Sequence, residues 1–531
     1  MYNIKIDKIS DKDRYDYSEL IKIFLPPRTF RLLSENDTLP EDYEESININ
    51  FNCSVLEEKD AIKREIYNEL AQLTGMRPAW GILTGVRPVK LAGELLSRLE
   101  DVEKVRDKLT DYYLLSSEKA ELLLETLKYQ QKTAGKVPEN YEVVLMNDRT
   151  LLSHAGRNPA ATNGTVNMPV YRASTVVASS LAEYEGRHDK GLDEMCYGAM
   201  GTTTYYALAE AMTGLERGAG AVITSSGLSA CTMAILPFVS AGDHVLVTDS
   251  VYGPTRRFCD TVLRRFGVET TYYAPGMGED IERLFRPETR LVFAEAPGSL
   301  TFEMEDIPAV AEAARRHGCL TLMDNTWASP LFFRALEHGV DIAIQAATKY
   351  IGGHSDLVLG VITARTRELY VRLKECMIAL GETASPDDCY LALRGLRSMA
   401  VRMRSQQESA LKIARWLEGR PEVLRVLYPA LESDPGHALW KRDFNGAGAL
   451  FGVEVKESSG QAIADMVDNY RYFAIGASWG GFESLVTVSR PERSAFPWQG
   501  RGTLLRFSIG LEEPDDLIAD LAEGFMRLNR A

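Results

Sequence analysis

Three charged residues stand at the ends of runs that are otherwise apolar and β-branched: Glu295 in LVFAEAPG, Asp324 in LTLMDNT and Lys349 in DIAIQAATK. A strand of a buried sheet has no packing reason to finish on a charge, so three such endings outline a site. Lys349 is one of only six lysines in residues 146–531, and it follows its apolar run directly. A desolvated lysine loses proton affinity and becomes a nucleophile toward a carbonyl carbon. Taken alone, a strand-end lysine more often snorkels to solvent. Asp324, ending the preceding strand-like run, reverses that balance, because an aspartate beside a pyridinium nitrogen keeps such a ring protonated as an electron sink. Gly227 opens a helical pattern straight after AVITSS (221–226). Free backbone N–H groups there suit a phosphate, and Ser225, Ser226 and Thr348 add hydroxyl donors. By itself Gly227 reads as a tight turn.

The elements that must position these residues follow a regular rhythm. AVITSS leads through Gly227 into LSACTMAILPFV, and DHVLVTDS (243–250) precedes GPTRRFCDTVLRRFG. LVFAEAPG (291–298) precedes PAVAEAARRHG, LTLMDNT (320–326) precedes PLFFRALEHG, and DIAIQAATK (341–349) follows. Alternating strand and helix patterns predict βαβ units and a parallel sheet flanked by helices. Ligands of such sheets bind beyond the carboxyl ends of the strands, where Glu295, Asp324 and Lys349 fall.

At 531 residues the chain is long enough for two or more cores. The net charge of −15 argues against an electrostatic grip on nucleic acid or on an anionic membrane surface. No apolar run approaches the roughly 20 residues of a membrane-spanning helix. MYNIKIDKISDKDRYDY lacks the apolar segment of a secretory signal. The seven cysteines form no C-x-x-C pair, so reduced thiols in a cytoplasmic protein are expected rather than a disulfide framework or a metal site.

Basic-residue usage changes sharply along the chain. Residues 1–145 hold 13 Lys and 8 Arg, whereas residues 146–531 hold 6 Lys and 33 Arg. Both types serve a solvated surface equally well, so the swing marks two coding histories joined together. The joint is expected in the polar segment 133–149, with Met146 as a fitting start for the second piece. In the first piece a strand over 47–55 should precede an amphipathic helix, DAIKREIYNELAQLTG, that Gly75 ends. Arg77, Arg87 and Lys90 could meet an anion, although a solvated turn is the simpler reading. AWGILTGVRPVKL and YLLSSEKAELLLETLKYQ resemble the N-terminal portion of the radical-SAM, oxygen-independent coproporphyrinogen dehydrogenases. Those enzymes hold an iron–sulfur cluster through a cysteine triad. Here Cys53 is the only cysteine before Cys196, so no catalysis is assigned to this piece.

The second piece resembles the Cys/Met-metabolism family of pyridoxal-phosphate (PLP) enzymes. AVITSSGLSA, DSVYGPTRRF, EAPGSLTFE, DNTWASPLF, QAATKYIGGHSDLVLG, LRGLRSM, SWGGFESL and GTLLRFSIGLEEPDDLIADL carry the resemblance, in order, over nearly all of 148–531. SWGG, with QAATKY and GLEEPDDLIADL, is most similar to the bacterial cystathionine β-lyases of that family. The resemblance implies an α/β, aminotransferase-like (fold type I) domain with a mostly parallel sheet and a smaller C-terminal α+β domain. Residues 150–205 would then be an N-terminal arm, 206–395 the PLP-binding domain and 396–531 the C-terminal domain. Residues 1–135 would form an accessory domain, with 136–149 as linker.

The roles it implies are as follows. Lys349 is the Schiff-base lysine and proton carrier, Asp324 pairs with the pyridinium nitrogen, and Tyr252 stacks on the ring. Gly227, Leu228 and Thr348 hold the phosphate, and Arg506 forks onto the substrate carboxylate. Ser478 and Trp479 line the substrate side. Tyr197 reaches in from a neighbouring subunit, in a homo-oligomer built as a dimer of dimers. The expected reaction is β-elimination of L-cystathionine, a small-molecule substrate. Other expectations stay open: a cysteine-S-conjugate β-lyase, a γ-eliminating relative, or a catalytically impaired binding module. One departure bears on them. Where the family reads Tyr-x-Arg, this chain reads Tyr197-Gly198-Ala199-Met200. Either Arg172 or Arg187 substitutes, or grip on the phosphate and preference for a diacid are reduced.

Overall fold

The computed structural model describes residues 148–189 and 192–530. Before them it describes 2–6, 30–33, 47–51, 59–79 and 101–133, with separate positions between 17 and 25 and between 91 and 99. The chain divides into two compact units, Met1–Val144 and Leu145–Ala531.

In the first unit β1 (Tyr2–Ile6) lies between β2 (Phe30–Leu33) and β3 (Ile47–Phe51), parallel to both. The helix Lys59–Thr74 follows, and Gly75 ends it at φ +69°, a conformation that glycine adopts without steric cost. Ile66, Tyr67 and Leu70 fall at helical spacing and bury together with Ile4. Cys53, Arg87, Lys90, Met146 and most of the expected joint (134–147) lie outside the described residues. Arg77 is exposed.

The second unit carries two sheets. The larger has seven strands: β4 (Gly220–Thr224), β5 (His244–Thr248), β6 (Glu269–Tyr273), β7 (Thr289–Glu295), β8 (Leu320–Asp324), β9 (Ile342–Ala346) and β10 (Gly360–Ala364). Their spatial order is β4-β10-β9-β8-β7-β5-β6. Five of the seven follow the β-branched runs of the sequence. β6 and β10 are additional, and β10 runs antiparallel to both its neighbours, so the sheet is mostly parallel. β4, β5 and β10 are buried along their whole length, as strands covered by helices on both faces should be. The 33-residue helix Pro386–Glu418 leads to the smaller sheet. That sheet comprises β11 (Val423–Leu427), β12 (Leu450–Val455), β13 (Ala474–Ile475), β14 (Leu485–Ser489) and β15 (Thr503–Ser508) in the order β11-β12-β15-β14-β13. One buried core joins both sheets. Among the described residues no helix is long and apolar enough to cross a membrane.

Candidate active site

The carboxyl edge of the large sheet and one side of the small sheet enclose a cleft of about 1080 Å³, counted to its open mouth. The charged residues among those lining it are Glu295, Asp324, Lys349 and Arg506. Parallel strands bring these positions together although they lie far apart in sequence: β7 and β8 align Glu295 with Asp324, and Lys349 follows the end of β9. Arg506 comes from the middle of β15, opposite Gly452 of β12 and Thr487 of β14.

Lys349 donates from Nζ to Ser478 Oγ at 2.7 Å, and its ammonium lies 5.2 Å from the centre of the Trp479 ring. Burial lowers its pKa most, the Arg506 cation lowers it further, and Asp324 opposes both; the result is about 8. A substantial neutral fraction is therefore present at mildly alkaline pH. Arg506 is itself pushed down by burial and donates from Nη2 to the carbonyls of Ala477 (2.6 Å) and Ser478 (3.4 Å). The segment carrying Ser478 and Trp479 is thus held from both sides, by the lysine and by the arginine.

Asp324 and Glu295 are buried like charges in adjacent register, and burial pushes both upward. Their surroundings separate them. Asp324 accepts from the Thr326 amide (3.0 Å), the Thr326 hydroxyl (2.6 Å) and, at 3.6 Å, the Cys231 thiol. Glu295 accepts from the Tyr252 amide at 2.7 Å, and the Asp324 charge raises it further still. Two adjacent buried carboxylates do not both ionise readily. Burial and the Asp324 charge both favour the protonated form of Glu295, while the donors around Asp324 favour its anion.

The helix Gly227–Ile235 begins at the cleft, with Ser226 Oγ accepting from the Ser229 amide at 3.0 Å. Its first amides have no acceptor within the helix. A Cβ on Gly227 would stand 2.6 Å from Ala346 Cβ, so close packing against β9, and not a turn, requires glycine. Leu228 and Thr348 also line the cleft. The Thr348 hydroxyl is already occupied, donating to Leu359 O (3.2 Å) and accepting from Leu359 N (3.0 Å). Ser225 gives its amide to Glu382 at 2.5 Å and is not among the lining residues. Tyr252 stands 41% exposed on the wall. Tyr197 is 51% exposed and lies outside the cleft of its own chain. Arg172 pairs with Asp387 at 2.5 Å, while Arg187 donates to Val176 O and pairs with Glu183. Both arginines are committed within the chain.

Sequence reasoning passed over Cys231 and Thr326. Cys231 lies one helical turn beyond Gly227, on the same face. Thr326 follows Asp324 by two residues, the spacing of a side chain that binds its own turn. Both signals were present, but neither residue is a usual candidate for catalysis.

An amine with a depressed pKa, a buried carboxylate anion and an N–H-rich helix start without a Cβ fit PLP. Residues 149–526 match the family model of the Cys/Met metabolism PLP-dependent enzymes. The chain belongs to that family. It is 42% identical over 388 residues to the cystathionine β-lyase MetC of Escherichia coli (strain K12), covering 71% of this chain and 98% of the relative. It is 40% identical over 397 residues to the L-alanine/L-glutamate racemase of Wolbachia pipientis wMel, covering 72% and 98%. Among solved structures, cystathionine gamma synthase from Xanthomonas oryzae pv. oryzae in complex with cystathionine matches with a TM-score of 0.66 at 32% identity. That match covers 72% of this chain and 99% of the other. The fold is therefore type I of the PLP enzymes, and the cofactor of this family is PLP.

Proposed function

We propose that the second unit is a PLP-dependent carbon–sulfur lyase that converts L-cystathionine and water to homocysteine, pyruvate and ammonia by β-elimination. The observation that carries this reading is the Lys349 amine, hydrogen-bonded to Ser478 and sharing one cleft with Asp324, Arg506 and the start of the Gly227 helix. PLP, when bound, withdraws electrons from the substrate Cα into its ring. The remaining tasks fall to the protein. Lys349 Nζ takes the Cα proton and returns it to the departing sulfur, a double task that suits a pKa near the working pH. Asp324 would pair with the ring nitrogen, and Tyr252 would pack on the ring face. The amides of Gly227 and Leu228 hold the phosphate, with Thr348 as a lesser donor. Arg506 receives the α-carboxylate on the part of its fork not spent on Ala477 and Ser478. Ser478 and Trp479 border the leaving group.

Tyr197 completes the site from a neighbouring subunit, which makes a dimer the smallest active unit and a dimer of dimers the expected assembly, in the cytoplasm. Residues 1–135 serve as an accessory domain without catalysis. Ala199 and Met200 place no cation at the distal end of the substrate, and this favours a second reading, a β-lyase for smaller cysteine S-conjugates. Supplying PLP and L-cystathionine and identifying the keto acid tests the proposal. Pyruvate supports it, and 2-oxobutyrate would replace it with γ-elimination. Pyruvate released only from a smaller conjugate would establish the second reading.

A further inference from the structure

Asp249, three residues before Tyr252, is almost completely buried, and its carboxylate is surrounded by donors from the loop between β14 and β15. The Ser494 amide reaches both oxygens at 3.0 Å, and the Ala495 and Phe496 amides reach Oδ2 at 2.9 Å each. The Ser494 hydroxyl adds a bond at 3.1 Å. Arg256 completes the cage from Nη2 at 2.5 Å and also binds Ser494 Oγ at 3.1 Å. Burial raises the pKa of this carboxyl, but the three amides and the guanidinium outweigh it and hold Asp249 below the ordinary range.

The same loop is anchored a second time. Arg493, buried, pairs with Glu303 at 2.5 Å and donates to the Thr301 hydroxyl. The two anchor points lie at the bases of neighbouring stretches of the cleft lining, which leave the directly paired strands β5 and β7. Tyr252 receives the Arg256 amide on its carbonyl at 3.1 Å, and Gly298, Ser299, Leu300 and Phe302 also line the cleft. The walls also touch directly: the Ser299 amide donates to Ser250 O at 2.8 Å, and a Cβ on Gly298 would stand 2.4 Å from Ser250 Cβ.

We propose that Asp249 is a positioning residue of the lyase: by gripping loop 493–496, whose Arg493 also holds Glu303 and Thr301, it braces the 249–252 and 298–302 linings from behind, and so governs how tightly the cleft holds the substrate. The inference rests on the lyase reading above. Three converging amides recognise a carboxylate as they would any anion; here the anion belongs to the protein, and what it holds is the neighbouring domain. A neutral amide at 249 keeps the shape but cannot accept from every donor, so the grip fails while the fold remains.

The test compares Asp249→Asn with Asp306→Asn in the full-length holoenzyme. Asp306 also joins the two sheets' domains, through Arg442 at 2.7 Å, but is not among the residues lining the cleft. Asp249→Asn should raise KM about tenfold with a much smaller change in kcat, and should speed amide exchange at 494–496 and 299 by tenfold or more. Asp306→Asn should lower Tm without either effect. Should Asp249→Asn fail to fold, Ser494→Ala removes one hydroxyl from the grip and should shift KM and exchange severalfold in the same direction. Unchanged KM and unchanged exchange at those amides, in whichever variant folds, would overturn the proposal and leave Asp249 a purely structural anchor. Amide exchange involves no turnover, so it separates failure of this inference from failure of the lyase reading.

Discussion

Two described lysines of the second unit, Lys349 half-buried and Lys374 fully enclosed, have their pKa driven down chiefly by desolvation, to about 8 and about 7. Only one of them faces a cleft. Lys349 ends in a hydrogen bond to a serine hydroxyl, between an arginine and an aspartate, where a small molecule can enter. Lys374 is fully enclosed. It donates to Met200 O (2.5 Å) and Tyr205 OH (3.2 Å) and sits over the Tyr205 and Tyr206 rings at 4.3 and 5.2 Å. The Asp193 carboxylate also favours its charge, but Asp193 is itself bound by Arg367 and the Tyr370 hydroxyl. A depressed pKa therefore marks desolvation, and desolvation alone does not make a nucleophile. Access and a charged surround that can use the neutral amine do.

The largest expected effect separates the two lysines outright. Lys349→Ala should cut turnover by about 10²–10⁴ or more, as loss of a positioned proton carrier does. Lys374→Met should keep the visible absorption of bound PLP and most of the turnover, both read on the same preparations.

Arg506→Gln comes next. Losing a charge-assisted contact to the carboxylate should raise KM by about tenfold to a hundredfold. Removing a like charge should also move the Lys349 midpoint upward. In the wild-type apoprotein, the rate of imine formation with PLP should rise with pH through about 8, because only the free amine attacks. The Arg506→Gln midpoint should lie above the wild-type one, and an unchanged midpoint would remove Arg506 from the electrostatics of the lysine.

Glu295→Gln should alter turnover only severalfold, since an amide replaces a neutral acid of the same shape. Asp324→Asn should cost far more. Equal losses would mean that the two carboxylates had been assigned the wrong charges.

The smallest effect is one of stability. Lys374 has a folded pKa below its unfolded one, so its burial costs most below about pH 7 and the cost fades as pH rises toward 10.5. The Tm of the wild type relative to Lys374→Met should therefore climb across that interval.

Where the sequence was legible and where it was not follows from the same physics. β5, β7, β8 and β9 announce themselves as β-branched runs because both faces of a central strand are buried. β6 (ETTYY) is an edge strand, half-buried along most of its length, and left no apolar run. β10 (GVITA) is as long and as buried as its neighbours, but it reverses direction, which no periodicity records. Strand-end charges revealed Glu295, Asp324 and Lys349, because buried runs do not otherwise end that way. The occupied hydroxyl of Thr348, the commitment of Arg172 to Asp387 and the grip of Asp249 on loop 493–496 each join residues far apart in sequence. Only the fold brings those partners together.

The most direct test of the account is to reduce the PLP-loaded protein with borohydride, digest it, and locate the pyridoxyl group by mass spectrometry. The account predicts the label on the peptide carrying Lys349 and none on Lys374. Label on Lys374, or on another lysine with Lys349 unmodified, would contradict it.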